Sequence, residues 1–216
     1  MKTAIVIGSS GSIGQSIVKY LENDFIIEGI SSHHLINQCD ITDWEQTRST
    51  IINIANKHST IDALINSAGV VSKNTIENLD DNDALRLFKI NAIGALHVSR
   101  AILPFMQKQG FGHIIHIGSL RATQYDCEKA AYSMSKAAMR AFCLTLAQEA
   151  EPYGIKTILI SPGAVNTNIY RRKDWKPKPE ITQPDDIAKI IDLIFKLPNS
   201  VCIREIEIGK LLSVWN

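Results

Sequence analysis

The sequence predicts an α/β fold, a single-domain doubly wound parallel sheet, and three observations carry that prediction. Short, almost wholly apolar runs alternate with amphipathic helical patterns along the 216 residues. Such runs cannot leave one face in water, so helices must cover both sides of the sheet they build. Glycines follow the first apolar run directly, and the 45% hydrophobic, 21% charged composition is that of a chain able to bury one core without metal or disulfide.

Taken in order, residues 3–7 form the first strand, and Ile13, Ile17, Val18 and Leu21 then recur at helical spacing. A second strand is expected over 25–30 and a brief third over 35–39. A helix over 43–57 opens on Asp43 as its N-cap. Residues 61–66 form the next strand. A long helical pattern covers 81–106, with Pro104 tightening its end. Strands over 113–117 and 155–160 flank a helix over 130–151. The helix over 184–196 opens on Thr182-Gln-Pro-Asp, and 201–208 closes the series. Between the second strand and Asp40 there are only about ten residues, too few for a regular crossover, so that connection is shortened. One domain is expected over 1–216.

Charge excludes one class of partner. Lys plus Arg number 23 against 22 for Asp plus Glu, a net +1 without the basic excess that binding to nucleic acid requires. No apolar run reaches the roughly 18 to 20 residues that span a bilayer, and the N-terminal apolar run is too short for a signal peptide, so no membrane partner is expected. Cys39, Cys127, Cys143 and Cys202 lie far apart with no Cys-x-x-Cys. They read as reduced thiols of a cytoplasmic protein, with no metal site.

Gly8-Ser-Ser-Gly11-Ser-Ile-Gly14 joins the first strand to the first helix. A turn this tight needs residues without Cβ, and a helix N-terminus offers free N–H groups and a positive dipole end to phosphate. The spacing is not Gly-x-Gly-x-x-Gly, and a packing turn is the rival reading. Tyr132 and Lys136, four residues apart, share one helix face. A cation near a phenol favours the phenolate, and a tuned tyrosine can exchange a proton at neutral pH. Ser119 lies just past the strand at 113–117, where a hydroxyl can hold a substrate oxygen beside that phenol. Asn91 is a polar residue inside the long helix; a satisfied core amide is its rival reading.

With Asp40 in Cys-Asp-Ile-Thr-Asp, Asn66-Ser-Ala-Gly69, and Pro162-Gly163 with Thr167 in the same order, nearly the whole chain resembles the short-chain dehydrogenase/reductase family, and a small bacterial-type member of it. The resemblance implies a Rossmann-like NAD(P)-binding domain in which Tyr132 is the general acid-base. Lys136 lowers the tyrosine's pKa and holds the nicotinamide ribose, Ser119 orients the carbonyl or alcohol oxygen, and Asn91 supports a water relay. It also implies that Gly8, Gly11 and Gly14 cradle the pyrophosphate, joined by Ser10, Ser12 and Ile13 of the same turn. Asp40 and Ile41 meet the adenine, and Ser31 follows the second strand. Asn66, Ala68 and Gly69 form the cofactor-facing turn; Pro162, Gly163, Val165 and Thr167 complete the contacts, Thr167 at the carboxamide. Residues 164–182 correspond to a substrate loop. Two departures stand out: the turn follows Gly-x-x-Gly-x-x-Gly rather than the usual Gly-x-x-x-Gly-x-Gly, and Asn66-Ser67 stands where Asn-Asn is common.

A second pair, Tyr125 and Lys129, precedes the helix, so its side chains need not share a face; Tyr125 is placed at the pocket mouth. His113 and His116 fall on opposite strand faces and are read as structural. Cofactor choice is set after the second strand, where an acid suits NAD and a cation NADP. Glu28 comes too early, Ser31, Ser32 and His33 are neutral or weakly basic, and the reading leans to NADP, with NAD the alternative. Five cations over 171–178 read as a solvated loop or as attraction for an anionic ligand. The expected activity is hydride transfer between nicotinamide and a small carbonyl or secondary alcohol. An epimerase or dehydratase using bound cofactor, and a non-catalytic nucleotide sensor, are the alternatives. The long helices resemble the family's pairing surface and imply a homodimer or homotetramer.

Overall fold

Strand β1 (Lys2–Ile7) shows why the sheet is covered on both sides. Ala4, Ile5 and Val6 are wholly buried, and successive strand side chains point to opposite faces. Ile5 and Ile7 enter one core; Ala4 and Val6 enter another. The same alternation recurs in β3 (Ala63–Asn66) and β4 (Gly112–Ile117), where Leu64 and Ile114 join the first core and Ala63, Ile65, Ile115 and Ile117 the second.

The computed structural model describes residues 1–32, 37–170 and 173–209. Beside the strands already given it contains β2 (Phe25–Ile30), β5 (Ile155–Pro162) and β6 (Glu205–Ile208), and the six strands pair in parallel in the order β2-β1-β3-β4-β5-β6. Helices α1 (Ser12–Leu21) and α6 (Pro184–Lys196) pack together on one face. On the other lie α2 (Trp44–Ala55), α4 (Gly94–Gln109) and α5 (Ala130–Ala150), with α3 (Asp81–Phe88) against α5. The strand order reverses between β1 and β3. Ligands of such sheets bind beyond the carboxyl ends of the strands at that switch point. Among the described residues no helix is long and apolar enough to cross a membrane.

Local chemistry explains the element ends. Asp43 caps α2 by accepting from the Gln46 N–H, Asp80 caps α3 by accepting from Asn82, and Gln183 and Asp186 form a reciprocal box at the start of α6 with Pro184 as its first residue.

Four expectations need correction. The brief strand at 35–39 is not seen where it can be checked: residues 33–36 lie outside the described residues, and Ser31–Gln38 is an isolated bridge closed by Ser31 N–H to Asn37 O and Cys39 N–H to Ser31 O. From Asn37 onward the connection reaches α2 without a strand or helix. The long helix at 81–106 is three pieces, because Lys89–Ile93 forms a π-turn in which the Gly94 N–H reaches back to the Lys89 carbonyl. Pro104 does not end α4; the helix continues to Gln109, and Gly110, at φ 79°, terminates it. The last strand is confined to Glu205–Ile208, where it pairs with β5 and where the Arg140 guanidinium grips Glu205 through two bonds of 2.8 Å.

Candidate active site

At the switch point the glycine turn is held by its own backbone. Gly8 sits at φ 76°, its N–H bonds Ile30 O at 2.8 Å, and a Cβ there would lie 2.7 Å from the Ala68 nitrogen. Only glycine allows the ends of β1 and β3 to approach so closely. A Cβ on Gly14 would collide with the Gly8 carbonyl, so Gly14 permits the turn to pack on its own helix and does not reach the cleft. Helix α1 starts at this turn with no side-chain cap and no acid in its first turn, whereas α2, α3 and α6 are each capped by side chains. The turn that precedes α1 borders a cleft of about 1150 Å³, lined by Gly8, Ser10 and Gly11 and also by Ile169 and Tyr170.

The far wall is the segment after β3. Asn66 is fully buried; its Oδ1 accepts from the Ala68 N–H at 3.1 Å. Ser67 bonds the Ile7 carbonyl through both N–H (3.0 Å) and hydroxyl (2.8 Å), tying β3 to β1 where the sequence has serine in place of a second asparagine. Asn91, at the centre of the π-turn, accepts from Val70 N–H and donates to Val70 O and to Ser135 Oγ, each at 2.9 Å. A π-turn widens the helix and re-aims a side chain; here it turns the amide onto the backbone of Val70, which lines the cleft. A Cβ on Gly69 would sit 3.3 Å from Asn91 Oδ1 and 3.5 Å from Lys136 Nζ.

Lys136 is buried, and its ammonium donates to Ile117 O at 3.0 Å and lies 3.8 Å from Met139 Sδ. Burial pushes its pKa down to about 8. An ammonium has three donors, so this one has donors in reserve at the Gly69 edge of the cleft. The Tyr132 phenol is held above its ordinary value, first by burial, while the Ser119 hydroxyl bonded to it and the Arg121 guanidinium pull it back. Burial therefore outweighs the nearby Arg121 cation, and the direction is opposite to the one expected. Ser119 owes its place to the end of β4, where its Oγ also accepts from the Arg121 N–H at 3.1 Å.

This geometry can be set against known proteins. Residues 2–177 match the family model of the short chain dehydrogenases. The chain belongs to the short-chain dehydrogenase family. As a member of that oxidoreductase family it is 28% identical to an uncharacterized oxidoreductase of Staphylococcus saprophyticus, with 96% of each chain covered. Two solved structures share its fold. An alcohol dehydrogenase from the archaeon Thermococcus sibiricus, in complex with 5-hydroxy-NADP, superposes at a TM-score of 0.88 with 21% identity, over 98% of this chain and 97% of that one. The aldohexose dehydrogenase of Thermoplasma acidophilum in ligand-free form gives 0.88 and 21%, over 100% and 95%.

Within this family member the sequence-predicted residues divide. Gly8, Ser10 and Gly11, then Ser31, Asp40 and Ile41, and finally Ala68 and Gly69, line the cleft. Ser12, Ile13, Gly14 and Asn66 are not among its lining residues, nor are Asn91, Ser119, Tyr132 and Lys136, nor Pro162, Gly163, Val165 and Thr167 on the β5 side. Glu28 is engaged by His58 at 2.7 Å and by Asn37 at 3.1 Å. His33, His34, Arg171 and Arg172 lie outside the described residues. Tyr125 is 76% exposed and does not line the cleft, because α5 begins only at Ala130 and the segment before it follows no helical face. Its sequence partner Lys129 does line it. Lys129, Lys73, Val70 and Tyr170 are among the lining residues that pattern reading missed. For Val70 and Lys73 the place after the β3 end was the available signal; the side-chain directions were not.

Proposed function

We propose that this chain is an NAD(P)-dependent reductase of small carbonyl compounds, its single domain over 1–216 forming the cofactor site and 164–182 the substrate loop. The observation that supports this most is the Ser119–Tyr132 pair, with the buried Lys136 ammonium behind Gly69, a residue that lines the same cleft as the glycine turn before the uncapped helix α1. The residues fit a dinucleotide: any Cβ at Gly8 would strike the neighbouring backbone, and Gly69 leaves the Lys136 and Asn91 polar atoms at the cleft edge. Gly8, Ser10 and Gly11 with the α1 N-terminus would hold the pyrophosphate, Asp40 and Ile41 the adenine, and Lys136 the ribose hydroxyls. The carboxyl end of β2 carries Ser31 and Ser32, and the one acid of that strand, Glu28, is tied to His58. That favours NADP over NAD, as does the 5-hydroxy-NADP bound by the Thermococcus sibiricus enzyme.

A bound nicotinamide dinucleotide supplies the hydride. Ser119 holds the carbonyl oxygen, and the Tyr132 phenol, kept protonated by its raised pKa, gives that oxygen its proton. Asn91 fixes Val70 and stands across Gly69 from Lys136, where the relay that returns a proton to Tyr132 would begin. The substrate loop is pinned at its base by the Val165–Thr182 bridge and by Asn166 Nδ2 to Gln183 Oε1 at 2.7 Å. Exposed Leu85, Phe88 and Met134 on α3 and α5 support pairing of copies, as homodimer or homotetramer, and the four free cysteines support a cytoplasmic setting.

The test is a titration with NADPH and NADH followed by a carbonyl panel read at 340 nm. Net oxidation of cofactor supports the reductase. Turnover without net change at 340 nm would mean an epimerase or dehydratase, and tight cofactor binding with no turnover across the panel would mean a sensor.

A further inference from the structure

We propose that Lys129 is the docking group for a substrate carboxylate, so that the carbonyl compound reduced beside Tyr132 is a short oxo acid. This rests on the reductase reading and gives it a substrate class. Lys129 immediately precedes α5, lines the cleft and is half-buried. Its ammonium stands 5.9 Å from the centre of the Tyr132 ring and 4.6 Å from that of Tyr170, whose hydroxyl it meets. It is thus the cation between the proposed proton donor and the substrate loop.

The surrounding charges pair off and leave it over. Lys73 binds Glu128 at 2.6 Å and Arg121 binds Asp126 at 2.9 Å. Both nearby carboxylates are in contact with other cations, and among the described residues none is in ion-pair contact with Lys129; its acceptor is the Tyr170 hydroxyl. Burial holds its ammonium below the ordinary lysine value, with Asp126 and Glu128 opposing that shift and Arg121 and Lys73 adding to it. A half-buried cation with no carboxylate in direct contact is costly, and a ligand carboxylate relieves that cost. The reach limits the ligand. With the ammonium 5.9 Å from the centre of the Tyr132 ring, one short molecule can meet both the phenol and Lys129.

The experiment compares 2-oxobutyrate and 3-oxobutyrate, each against its amide, with wild-type protein, Lys129→Met, Lys129→Gln and Lys129→Arg. Calorimetric binding with and without NADPH is measured beside kcat/KM at 340 nm. The wild type is expected to prefer at least one acid over its amide by tenfold or more, chiefly through KM. Lys129→Met and Lys129→Gln lose that preference and Lys129→Arg keeps most of it. Equal affinity of wild type for acid and amide, or a preference that survives Lys129→Gln, overturns the proposal. Failure of the reductase reading shows separately, as absent NADPH binding or absent turnover of every compound, while the calorimetric comparison of acid and amide still decides the role of Lys129.

Discussion

Asn66 and His116 share a buried hydrogen bond, 3.3 Å between Nδ2 and Nδ1, beneath the turn that follows β3. Because Asn66 Oδ1 accepts from Ala68, its Nδ2 is the donor and His116 Nδ1 the acceptor. The proton of the imidazole then sits on Nε2 and is donated to Ser99 Oγ at 2.9 Å, and Ser99 donates to Ala95 O at 2.9 Å. A chain of polar groups thus runs from α4 through β4 to the cleft wall. His116→Leu would leave the Asn66 amide without a partner, which costs about 1–3 kcal/mol. The expected result is a lower urea midpoint together with weaker NADPH binding, since Ala68 and Gly69 lose their support. A weaker fold with unaltered NADPH affinity would show that the network is structural only.

The same histidine makes the fold acid-sensitive. Burial pushes His116 down to about 3 and His113 down to about 4, from an ordinary 6.5. Between these values the unfolded chain binds protons that the native chain does not, so stability rises with pH. It is full above 6.5 and is lost as pH falls toward 4 and then 3, at about 1.4 kcal/mol per pH unit for each histidine. Urea midpoints measured at pH 7, 6, 5 and 4.5 should fall less steeply for His116→Leu than for wild type, even though the variant starts lower. Parallel slopes would contradict the buried neutral imidazole.

Much of this architecture was legible in the sequence because burial on both faces leaves β1, β3, β4 and β5 as apolar runs, and because Asp43 and Thr182-Gln-Pro-Asp announce their helices by capping chemistry. The π-turn was not legible. Lys-Ile-Asn-Ala-Ile keeps helical periodicity, and only the hold of Asn91 on Val70, a contact across 21 residues, selects the wider turn. Pro104 misled for a related reason, since packing of Ile102 and Met106 carries α4 past it. The motif residues Gly8, Ser119, Tyr132 and Lys136 were readable as a set. The direction of the Tyr132 shift was not, because it depends on burial and on Arg121, which spacing along a helix does not reveal.

Gly8 and Gly110 separate two effects of a left-handed glycine. Their φ values are 76° and 79°, yet a Cβ on Gly110 meets nothing within 4 Å, while one on Gly8 lies 2.7 Å from the Ala68 nitrogen. Gly110→Ala should cost only about 1–2 kcal/mol of backbone strain and leave NADPH affinity alone. Gly8→Ala must in addition push β1 and β3 apart where the pyrophosphate would lie, with a tenfold or greater loss of affinity expected. Fluorescence titration of NADPH against both variants checks this, and equal affinities would remove the turn from the binding site.

Tyr132 and Lys136 should give separable pH signatures. With its pKa raised above the ordinary value of 10, the phenol remains an acid throughout neutral and mildly alkaline solution, so it imposes no loss of reduction rate below about pH 9. Lys136, pushed down to about 8, loses its charge in that range, and with it one N–H and the charge assistance of the bonds proposed to hold the ribose. NADPH affinity should therefore weaken as pH rises through about 8, and Lys136→Met should bind weakly at every pH with that dependence gone. Tyr132→Phe should keep the affinity and its pH dependence while kcat drops by roughly 10²–10⁴. Arg121→Gln provides the sign test: removing a cation that favours the phenolate raises the phenol's pKa further, which shifts the high-pH fall of kcat upward. A shift downward, or a Tyr132→Phe protein with wild-type kcat, would remove the tyrosine from the chemistry.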